Sequence, residues 1–565
     1  MDQGDFVYGA ADFGVQGHGL RSGRKGFGVR PWQWLEALNA ELHGQTLVKR
    51  RGTKQVGTVV SGMAAAVRYV QRFYYGAANG LLASANGKMW YRTVGDWTDA
   101  AVGTWSAGAF PVGVGFANSE IIANGVQQPV MLTWAAAPVA STMSTYSSYT
   151  PAWVAGPMYG RIFYPSSVAG EGDRIYFTDV GAPNTTKATS WLRVPEDRMG
   201  EVPRIGVLGP GNMIAVFCDD CVVGVTGATP ISFRTEKFPK GAGLCGWRTV
   251  VNAGNYWTLM TTRGLAMWGG RGPVELLDPD GEVDWSDCDM STPELMHSVR
   301  YFDQIWLFYR SKGLSSPLTA ATVSPSRWMV SVNLATAITG RAVRAVGYSS
   351  APTTSHYLTY DMHTGAFGGP HTGAWMSACW QQLRNGHYQD LVLGAAAATG
   401  VVAVGDQADR FVDCLGSVTG GVAADSSYDV NIRFGAAVAD PFEEHVVKSV
   451  TLMMGGRRAG GGVTARLLFS GDDEIEGSSV DLVMDPQGPV DVSQDSRVGP
   501  RVGLQRGPVA GMGKGGVWRR WVPDQRKGFV AGFAPMLELT ERSKAGWWLG
   551  GFKMVTALAA ERGGR

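Results

Sequence analysis

The chain has 565 residues, which at about 150 residues per domain allows three or four domains, or one large β-domain with additions. Glycine makes up about 14% of the residues, roughly twice its usual share, and charged residues make up 17%, below the typical share of about 25%. The 45% hydrophobic content and the 20 tryptophans exclude an intrinsically disordered chain, and the net charge of +2 excludes a whole-molecule attraction to nucleic acid or acidic membranes.

The start of the chain predicts a soluble protein that is made in the cytoplasm. Its first five residues, MDQGD, do not form a basic segment followed by an apolar one, as a secretory signal would. No apolar run approaches the ~18 residues needed to cross a bilayer, so we expect no membrane anchor. The six cysteines are sparse for this length, and we expect them to be reduced.

Residues 1–54 are predicted to form an N-terminal arm with one short helix. The segment Pro31–Leu42 begins with a proline, which is tolerated in the first turn of a helix. Leu35, Leu38 and Leu42 would share one face of that helix. Helical periodicity is scarce elsewhere in the chain.

Strand and turn signals dominate residues 55–420. Asn-Gly pairs at 79–80, 86–87, 124–125 and 385–386 supply the positive φ that tight hairpins require. Short apolar, β-branched and aromatic runs lie at 87–91, 174–178, 213–217, 221–225, 256–260, 304–309, 356–360 and 401–404. Several of these runs are apolar throughout, which is typical of strands that are buried on both faces.

A loose self-similarity in the same region predicts a β-propeller. A strand, a tight turn, a second strand and then glycine or tryptophan recur at 86–97, 263–271 and 360–367. Repeats of this kind are typical of four-stranded propeller blades, and we expect six to eight blades over residues 55–420. A set of unrelated β-sandwiches is the alternative.

The composition changes at Gly416–Asp425, which is rich in glycine, alanine and serine, and we place a domain boundary there. Beyond it, strand-like runs lie at 428–434, 445–454, 463–470, 529–539 and 546–555. Residues 421–565 are therefore predicted to form a β-sandwich-like domain, closed by the last of these runs. The predicted fold class of the whole chain is mainly β.

No catalytic, cofactor or metal site is predicted. Gly241–Gly246 matches a dinucleotide fingerprint, but a strand is expected after it, where the fingerprint needs a helix. Cys218 and Cys221 could supply half of a zinc site, yet no second pair follows, and a β-hairpin that places two thiols side by side is the preferred interpretation. Asp278–Asp284 contains several carboxylates around a glycine, but their spacing is not that of the twelve-residue calcium-binding loop, so no calcium site is predicted.

The remaining polar clusters also predict no enzyme. The chain contains no Gly-x-Ser-x-Gly elbow of the hydrolase type. His356, His363 and His371 recur within a short span and are interpreted as solvated loop residues. The acidic pairs at 443–444 and 472–473 are interpreted as solvated turns, because adjacency in sequence does not place two carboxylates across a cleft.

One segment, residues 497–527, carries a strong local positive charge, with Asp524 as its only acid. Arginine and tryptophan are enriched at protein interfaces, so we predict a protein-docking surface there. A solvated loop and direct contact with nucleic acid are the alternatives. The candidate docking residues are Arg497, Arg501, Arg506, Lys514, Trp518, Arg519, Arg520, Trp521, Arg526 and Lys527.

Taken in order, several segments resemble the tail hub and tail nozzle proteins of short-tailed bacteriophages, which are β-propeller components of the virion. Leu47–Gly57, with the sequence LVKRRGTKQVG, is similar to a basic Lys-Arg-x-Gly-Thr run in that family, although Arg51 stands where the family often has proline. Ile214–Gly227 resembles a strand–turn–strand unit of the family, and Gly241–Gly270 resembles its glycine-rich hairpin. Tyr360–Phe367 and the predicted C-terminal sandwich complete the likeness, which extends over nearly the whole chain through degenerate motifs.

The resemblance implies a structural role without catalysis, cofactor or metal. Copies of the chain, six being the expected number, would form a ring around the channel through which the genome leaves, retain the packaged DNA and conduct it at ejection. The implied partners are other copies, neighbouring tail proteins such as an adaptor ring and tail fibres or spikes, and genomic DNA that passes without sequence specificity. The implied location is the tail of the virion, after synthesis in the host cytoplasm.

The low charge of the chain suits a conduit, because a lumen lined with many lysines and arginines would bind the passing DNA. We therefore expect the basic segment to face a partner protein. Two other functions stay open at this point. A receptor-binding or lectin-like propeller would use exposed tryptophans to stack on sugars, and a polysaccharide hydrolase would need two carboxylates converging in one groove.

Overall fold

The computed structural model of the chain is built almost entirely from β-strands. Its described residues are 5–8, 34–43, 46–75, 78–103, 105–134, 137–143, 149–194, 203–209, 212–239, 241, 243–279, 283, 285–312, 354–363, 365–380, 390–407, 410–434, 444–456, 463–470, 479–482, 517–521, 531–541 and 547–558. None of the described segments is a helix long and apolar enough to cross a membrane.

The N-terminal part contributes five strands. They are β1 (Asp5–Tyr8), β2 (Trp34–Leu38), β3 (Ala40–His43), β4 (Thr46–Lys49) and β5 (Gly52–Gln55). β3 and β4 pair as an antiparallel hairpin. Short 3₁₀ turns lie further along the chain at Ser61–Met63, Trp285–Asp287 and Pro293–Leu295.

The predicted helix over residues 31–42 is wrong, because this segment forms β2 and β3. β2 pairs antiparallel with Val430–Phe434, almost 400 residues later in the chain. Asn39, between the two strands, has a φ of 56°, a left-handed conformation that ends one strand and redirects the chain into the next. The leucine spacing is compatible with a helix locally, but distant strand partners take up the same backbone groups, and this pairing overrides the local preference.

Seven antiparallel sheets of four strands follow in the described part of the chain. Blade 1 contains β6 (Tyr69–Tyr75), β7 (Ala78–Ala85), β8 (Lys88–Arg92) and β9 (Thr98–Asp99); blade 2 contains β10 (Val112–Phe116), β11 (Ser119–Ala123), β12 (Val130–Thr133) and β13 (Val139–Thr142); blade 3 contains β14 (Ala155–Met158), β15 (Arg161–Pro165), β16 (Arg174–Phe177) and β17 (Trp191–Arg193); blade 4 contains β18 (Ile205–Gly209), β19 (Met213–Phe217), β20 (Val222–Thr226) and β21 (Arg234–Lys237); blade 5 contains β22 (Leu244–Asn252), β23 (Trp257–Thr261), β24 (Gly264–Trp268) and β25 (Glu275–Leu276); blade 6 contains β26 (His297–Tyr301), β27 (Gln304–Ser311), β28 (Thr354–Asp361) and β29 (Phe367–Thr372); blade 7 contains β30 (Trp375–Trp380), β31 (Leu391–Ala395), β32 (Val402–Gln407) and β5.

The first strand of each blade lies beside the first strand of the next, in the order β10, β14, β18, β22, β26, β30 and β6. These strands form the inner wall of a ring, and the later strands of each blade lead outward. The second strands β11, β15 and β23 are buried along their whole length, as predicted for strands covered on both faces. The described residues between β5 and β32 therefore form a seven-bladed β-propeller, which confirms the predicted fold class.

Strand β5 closes the ring by pairing with β32, so that the last blade contains strands from both ends of the propeller sequence. The backbone amides of Gly52 and Thr53 also donate hydrogen bonds to the carbonyls of Arg410 and Val412. A Cβ atom on Gly52 would lie only 2.0 Å from the Val412 carbonyl oxygen, which explains the glycine at this position. The predicted boundary between residues 54 and 55 thus falls inside β5.

The C-terminal strands form a second β-structure. They are β33 (Val418–Thr419), β34 (Val422–Ala423), β35 (Val430–Phe434), β36 (Glu444–Gly456), β37 (Val463–Ser470), β38 (Ser479–Leu482), β39 (Val517–Trp521), β40 (Ala531–Glu541) and β41 (Trp547–Leu558). β33 and β34 pair with each other as a small hairpin. The predicted boundary at residues 420 and 421 falls in this connection, between the end of β32 and the start of β35.

Two groups of strands make up this C-terminal structure, and they share only a short junction between β36 and β40. One group is β2, β35, β40, β37 and β38, and the other is β39, β36 and β41 with β1, β4 and β3. Alternate residues from both groups belong to one buried core, including Ile432, Leu539, Val450, Leu452 and Leu549. This is the predicted sandwich-like arrangement, to which the N-terminal strands also contribute.

Arg50 lies fully buried where the propeller meets the sandwich. Its guanidinium donates to Asp413, with Nη2–Oδ2 and Nη1–Oδ1 distances of 2.5 and 3.2 Å, and to the carbonyl of Thr372 at 2.8 Å. Its Nε donates to Asn39 Oδ1 at 2.8 Å, and its Cζ lies 3.6 Å from the ring centroid of Tyr428. One side chain therefore joins the N-terminal strands, blade 6 and the connection between the two domains.

Candidate functional site

A cavity of about 360 Å³ lies at the centre of the propeller. Its wall contains residues from the innermost strand of every blade or from the segment just before that strand. Arg68, Arg248 and His297 line the cavity. No aspartate or glutamate is among the described residues that line it. The cavity is therefore lined by apolar residues together with two positively charged side chains, Arg68 and Arg248.

Arg248 reaches the cavity because β22 carries a large bulge. Gly246 pairs with Met260, and Val251 pairs with Thr258. Between these two pairs, β22 advances by five residues while β23 advances by two, so β22 has three extra residues. The extra residues push out of the ladder and direct Trp247 and Arg248 towards the centre of the ring.

The hydroxyl of Thr249 holds this bulge in place. It donates to the carbonyl of Gly246 at 2.5 Å and accepts a hydrogen bond from the amide of Met260 at 2.8 Å. Thr249 is fully buried, so the hydroxyl replaces a ladder hydrogen bond that the bulge removes. These two hydrogen bonds therefore fix the bulge and, with it, the position of Arg248.

The guanidinium of Arg248 crosses the centre of the ring. Its Nη2 donates to the carbonyl of Met376 in blade 7 at 2.7 Å, and its Nη1 donates to the carbonyl of Glu294 before blade 6 at 3.2 Å. Its Cζ lies 4.2 Å from the ring centroid of Phe110, which precedes blade 2. Burial and the nearby Arg68 lower the pKa of Arg248 to about 9.

Arg68 packs against the same aromatic ring, that of Phe110. Its Cζ lies 4.7 Å from the centroid of Phe110, and its Nη1 donates to the carbonyl of Gly108 at 3.0 Å. Burial also lowers the pKa of Arg68. Among the described residues, no carboxylate forms an ion pair with Arg68 or Arg248, and both guanidinium groups contact carbonyl oxygens and the π face of Phe110 instead.

Two buried polar side chains complete the wall. His297 is 3% exposed, and its Nε2 has no hydrogen-bond partner in the described part of the chain, while its Nδ1 lies 3.5 Å from the carbonyl of Leu295. The hydroxyl of the neighbouring Ser298 is buried and unpartnered among the same residues. Burial, followed by the charge of Arg248, holds the pKa of His297 well below its usual value, so the imidazole is neutral.

Glu120 lies behind the wall, on β11, and is almost completely buried. Its Oε1 is 3.4 Å from the hydroxyl of Tyr69. Burial raises the pKa of Glu120 to about 8, so the carboxyl is largely protonated at neutral pH and does not neutralise the arginines. The Tyr69 hydroxyl, whose pKa burial also raises, can donate to it.

This raised pKa makes a pH-dependent contribution to stability. Between pH 4.5 and about 8 the folded protein keeps a proton on Glu120 that the unfolded chain releases. Its contribution is therefore complete below pH 4.5 and is lost as the pH rises through about 8. Relative to Glu120→Gln, which cannot titrate, we expect the free energy of unfolding of the wild type to fall by at least ~1 kcal/mol between about pH 5 and about pH 8.

Urea denaturation of both proteins at the two pH values measures this difference. The buried histidines titrate equally in both proteins and cancel in the comparison. A difference that stays constant with pH would mean that Glu120 is ionised in the folded protein.

The predicted docking segment, residues 497–527, lies mostly outside the described residues. Trp518, Arg519, Arg520 and Trp521 are on β39, which pairs antiparallel with β36. The six other candidates, Arg497, Arg501, Arg506, Lys514, Arg526 and Lys527, lie outside the described residues. Residues 517–521 of the segment therefore form a strand, and in the described part of the chain β36 is its only ladder partner.

The other polar candidates are placed as follows. Cys218 and Cys221 flank the predicted hairpin turn, closed by a hydrogen bond from the amide of Cys218 to the carbonyl of Cys221. His363 is exposed in a turn as predicted, but the interpretation of His356 and His371 as solvated is wrong, because both are buried on strands of blade 6. No group of three or more metal-ligating side chains occurs among the described residues.

Sequence reasoning missed the central cavity and its two arginines. Arg68 and Arg248 lie in unremarkable contexts, 180 residues apart, and only the closure of the ring brings them together. The available signal was weak: Gly246 and Thr249 interrupt an otherwise apolar strand on either side of Trp247 and Arg248.

No protein-family model matches the sequence, and no curated protein matches it. Among solved structures, the chain is similar to BamB from Moraxella catarrhalis, at 10% identity and a TM-score of 0.33, over 62% of this chain and 97% of that chain. It is similar to the WD40 β-propeller domain of Doa1 at 8% identity and a TM-score of 0.33, over 62% and 97% of the two chains. It is also similar to the computationally designed Ika8 protein at 11% identity and a TM-score of 0.32, over 63% and 100% of the two chains.

Proposed function

We propose that the chain is a structural component of a short-tailed bacteriophage tail, of the hub or nozzle type. In this proposal copies of the chain, six being the expected number, surround the channel through which DNA is retained and later ejected. The contacts of the chain are with other copies and with neighbouring tail proteins, and the DNA passes without sequence-specific recognition.

The observation that supports this proposal most directly is the position of Leu47–Gly57, one of the segments that resemble the family. This segment forms β4, Arg50 and β5, which belong to the sandwich, the domain junction and the last propeller blade. A subunit that confines DNA under pressure needs domains that do not move apart. A buried ion pair and shared strands at the junction supply that rigidity.

The geometry of the propeller also limits where DNA could pass. Arg248 crosses the centre of the ring and binds carbonyls from blade 7 and from the segment before blade 6. A duplex therefore cannot pass through the propeller itself. In the proposed assembly, the channel lies between copies of the chain.

Strand β39 supports a docking role for the basic segment. It carries Arg519 and Arg520, and β36 is its only ladder partner among the described strands. An edge strand offers free backbone groups to a neighbouring chain, and flanking arginines can pair with acidic groups on that neighbour. The partner of this edge in the proposal is a second copy or an adjacent tail protein.

The two alternatives receive less support from the described residues. None of the tryptophans that the structure describes between Trp90 and Trp380, the propeller region, is exposed, so the sugar-stacking surface of a lectin-like propeller is not found there. The central cavity has no aspartate or glutamate in its described wall, so it does not supply the pair of carboxylates that a glycoside hydrolase uses.

Electron microscopy of the purified protein tests the proposal, together with light scattering after size-exclusion chromatography. We expect the wild type to form rings with a central hole, and we expect Arg519→Glu combined with Arg520→Glu to abolish them, because like charges would then oppose the acidic face of the partner. Arg234→Glu combined with Arg263→Glu changes the charge equally at exposed propeller sites and should leave the rings intact. Monomers in the wild type would favour the receptor-binding alternative, and rings in both variants would exclude the proposed docking role of β39.

A further inference from the structure

We infer that the central cavity of the propeller is a binding site for a small tetrahedral oxyanion that keeps a proton at neutral pH, with hydrogen phosphate as the fitting ion. Arg68 and Arg248 would bind its negative oxygens, and His297 would accept a hydrogen bond from its P–OH group. This site lies within a single chain, so it is independent of ring assembly.

The first argument is the uncompensated charge of the two arginines. Both guanidinium carbons lie close to the same Phe110 ring, at 4.2 and 4.7 Å from its centroid, which keeps two like charges within about 9 Å of each other. No carboxylate among the described residues pairs with either of them, and the nearby Glu120 is largely protonated at neutral pH. An anion between the two arginines would relieve their repulsion.

The second argument is the number of free donors. A guanidinium has five N–H groups. Arg248 uses three of them, for the carbonyls of Met376, Glu294 and, at 3.5 Å, Arg68. Arg68 uses one, for the carbonyl of Gly108. The carbonyl partners of Arg248 hold its plane in a fixed orientation across the cavity. Remaining N–H groups in a fixed fork are suited to the oxygens of a phosphate.

The third argument comes from the unpartnered buried side chains. A carbonyl oxygen only accepts hydrogen bonds, so the contact with Leu295 places the proton of the neutral His297 ring on Nδ1. Its Nε2 is then an acceptor without a partner among the described residues, on a residue that lines the cavity, and the hydroxyl of Ser298, the next residue of β26, has no partner among them either. A fully ionised anion such as sulfate gives Nε2 nothing to accept, whereas hydrogen phosphate gives it a proton donor.

Isothermal titration of the full chain with sodium phosphate tests the inference, at about pH 7 and constant ionic strength. We expect one saturable site in the wild type, and affinity lowered by about tenfold or more in Arg248→Met and in Arg68→Met, because each removes charge-assisted hydrogen bonds. Arg234→Met, at an exposed site on blade 4, is the matched control and should bind as the wild type does. Arg68→Met keeps the test decisive if the crossing residue Arg248 proves necessary for folding.

Sulfate and glycerol 3-phosphate serve as comparison ligands. Weaker binding of both supports free hydrogen phosphate as the ligand. Glycerol 3-phosphate is largely without a P–OH group at pH 7, so binding of it as tight as that of phosphate would contradict the role of His297. The inference is overturned if no saturable phosphate binding occurs, if sulfate binds as tightly as phosphate, or if a folded Arg68→Met variant keeps the wild-type affinity.

Discussion

Replacing Arg50 with methionine is expected to lower the free energy of unfolding by about 3–5 kcal/mol, the usual effect of removing one partner of a buried ion pair. Arg50 is 1% exposed and Asp413 is 4% exposed, so the aspartate left behind would be a buried charge without its counter-ion. The carbonyl of Thr372 would lose the hydrogen bond from Arg50 as well, and Asn39 Oδ1 would keep only the donors of Thr372. Urea denaturation of the two proteins, followed by circular dichroism, measures the change.

Arg204→Met is the matched control for this prediction. Arg204 forms a bidentate ion pair with Asp219, with N–O distances of 2.6 and 2.9 Å, but both side chains are more than 40% exposed. Exposed ion pairs contribute between zero and about 1 kcal/mol, so this variant should unfold nearly as the wild type does. An equal loss in both variants would show that burial of the Arg50 pair is not what makes it important.

The second large effect is expected at the contact between blades 4 and 5. Trp257, the first residue of β23, is 1% exposed and packs against Trp268 with ring centroids 4.9 Å apart. A Cβ atom on Gly209, the last residue of β18, would lie 1.5 Å from Cζ2 of Trp257. We expect Gly209→Ala to destabilise the protein by about 1–3 kcal/mol through overpacking, and Trp257→Ala by about 3–5 kcal/mol through the cavity it leaves.

A double-mutant cycle makes this prediction specific. In the Trp257→Ala background the obstructing ring is gone, so Gly209→Ala should cost nothing or recover some stability. Gly269→Ala is the control, because a Cβ atom there meets nothing within 4 Å and the change should have little effect. Additive losses at Gly209 and Trp257 would contradict the direct contact between them.

The strands of the propeller were largely predictable because their signals are local. The predicted run at 213–217 is β19, and the run at 304–309 lies within β27. In both places a tight turn follows or precedes apolar residues that two neighbouring blades cover. The number of blades was less sharply predictable because the turns between blades vary in length.

The prediction that was wrong and the features that were not predicted depend on distant parts of the chain. Residues 34–43 have leucine spacing that fits a helix, but their partners are β4 and β35. Strand β5 belongs to the last blade only because β32, about 350 residues later, leaves an edge for it. The cavity has the same origin, since the bulge that directs Arg248 inward is defined by its register with β23. Local patterns do not encode such pairings.

The closure of the ring by β5 has a consequence for synthesis on the ribosome. β5 emerges early, but its partner β32 ends at Gln407 and is made some 350 residues later, which corresponds to a delay on the order of 20 to 70 s at typical translation rates. During that interval the nascent chain can form blades 1 to 6 one after another, while β5 waits without its partner. The propeller can close once residue 407 of the 565 has been made, but β4 receives its partner β41 only when nearly all of the protein has been made.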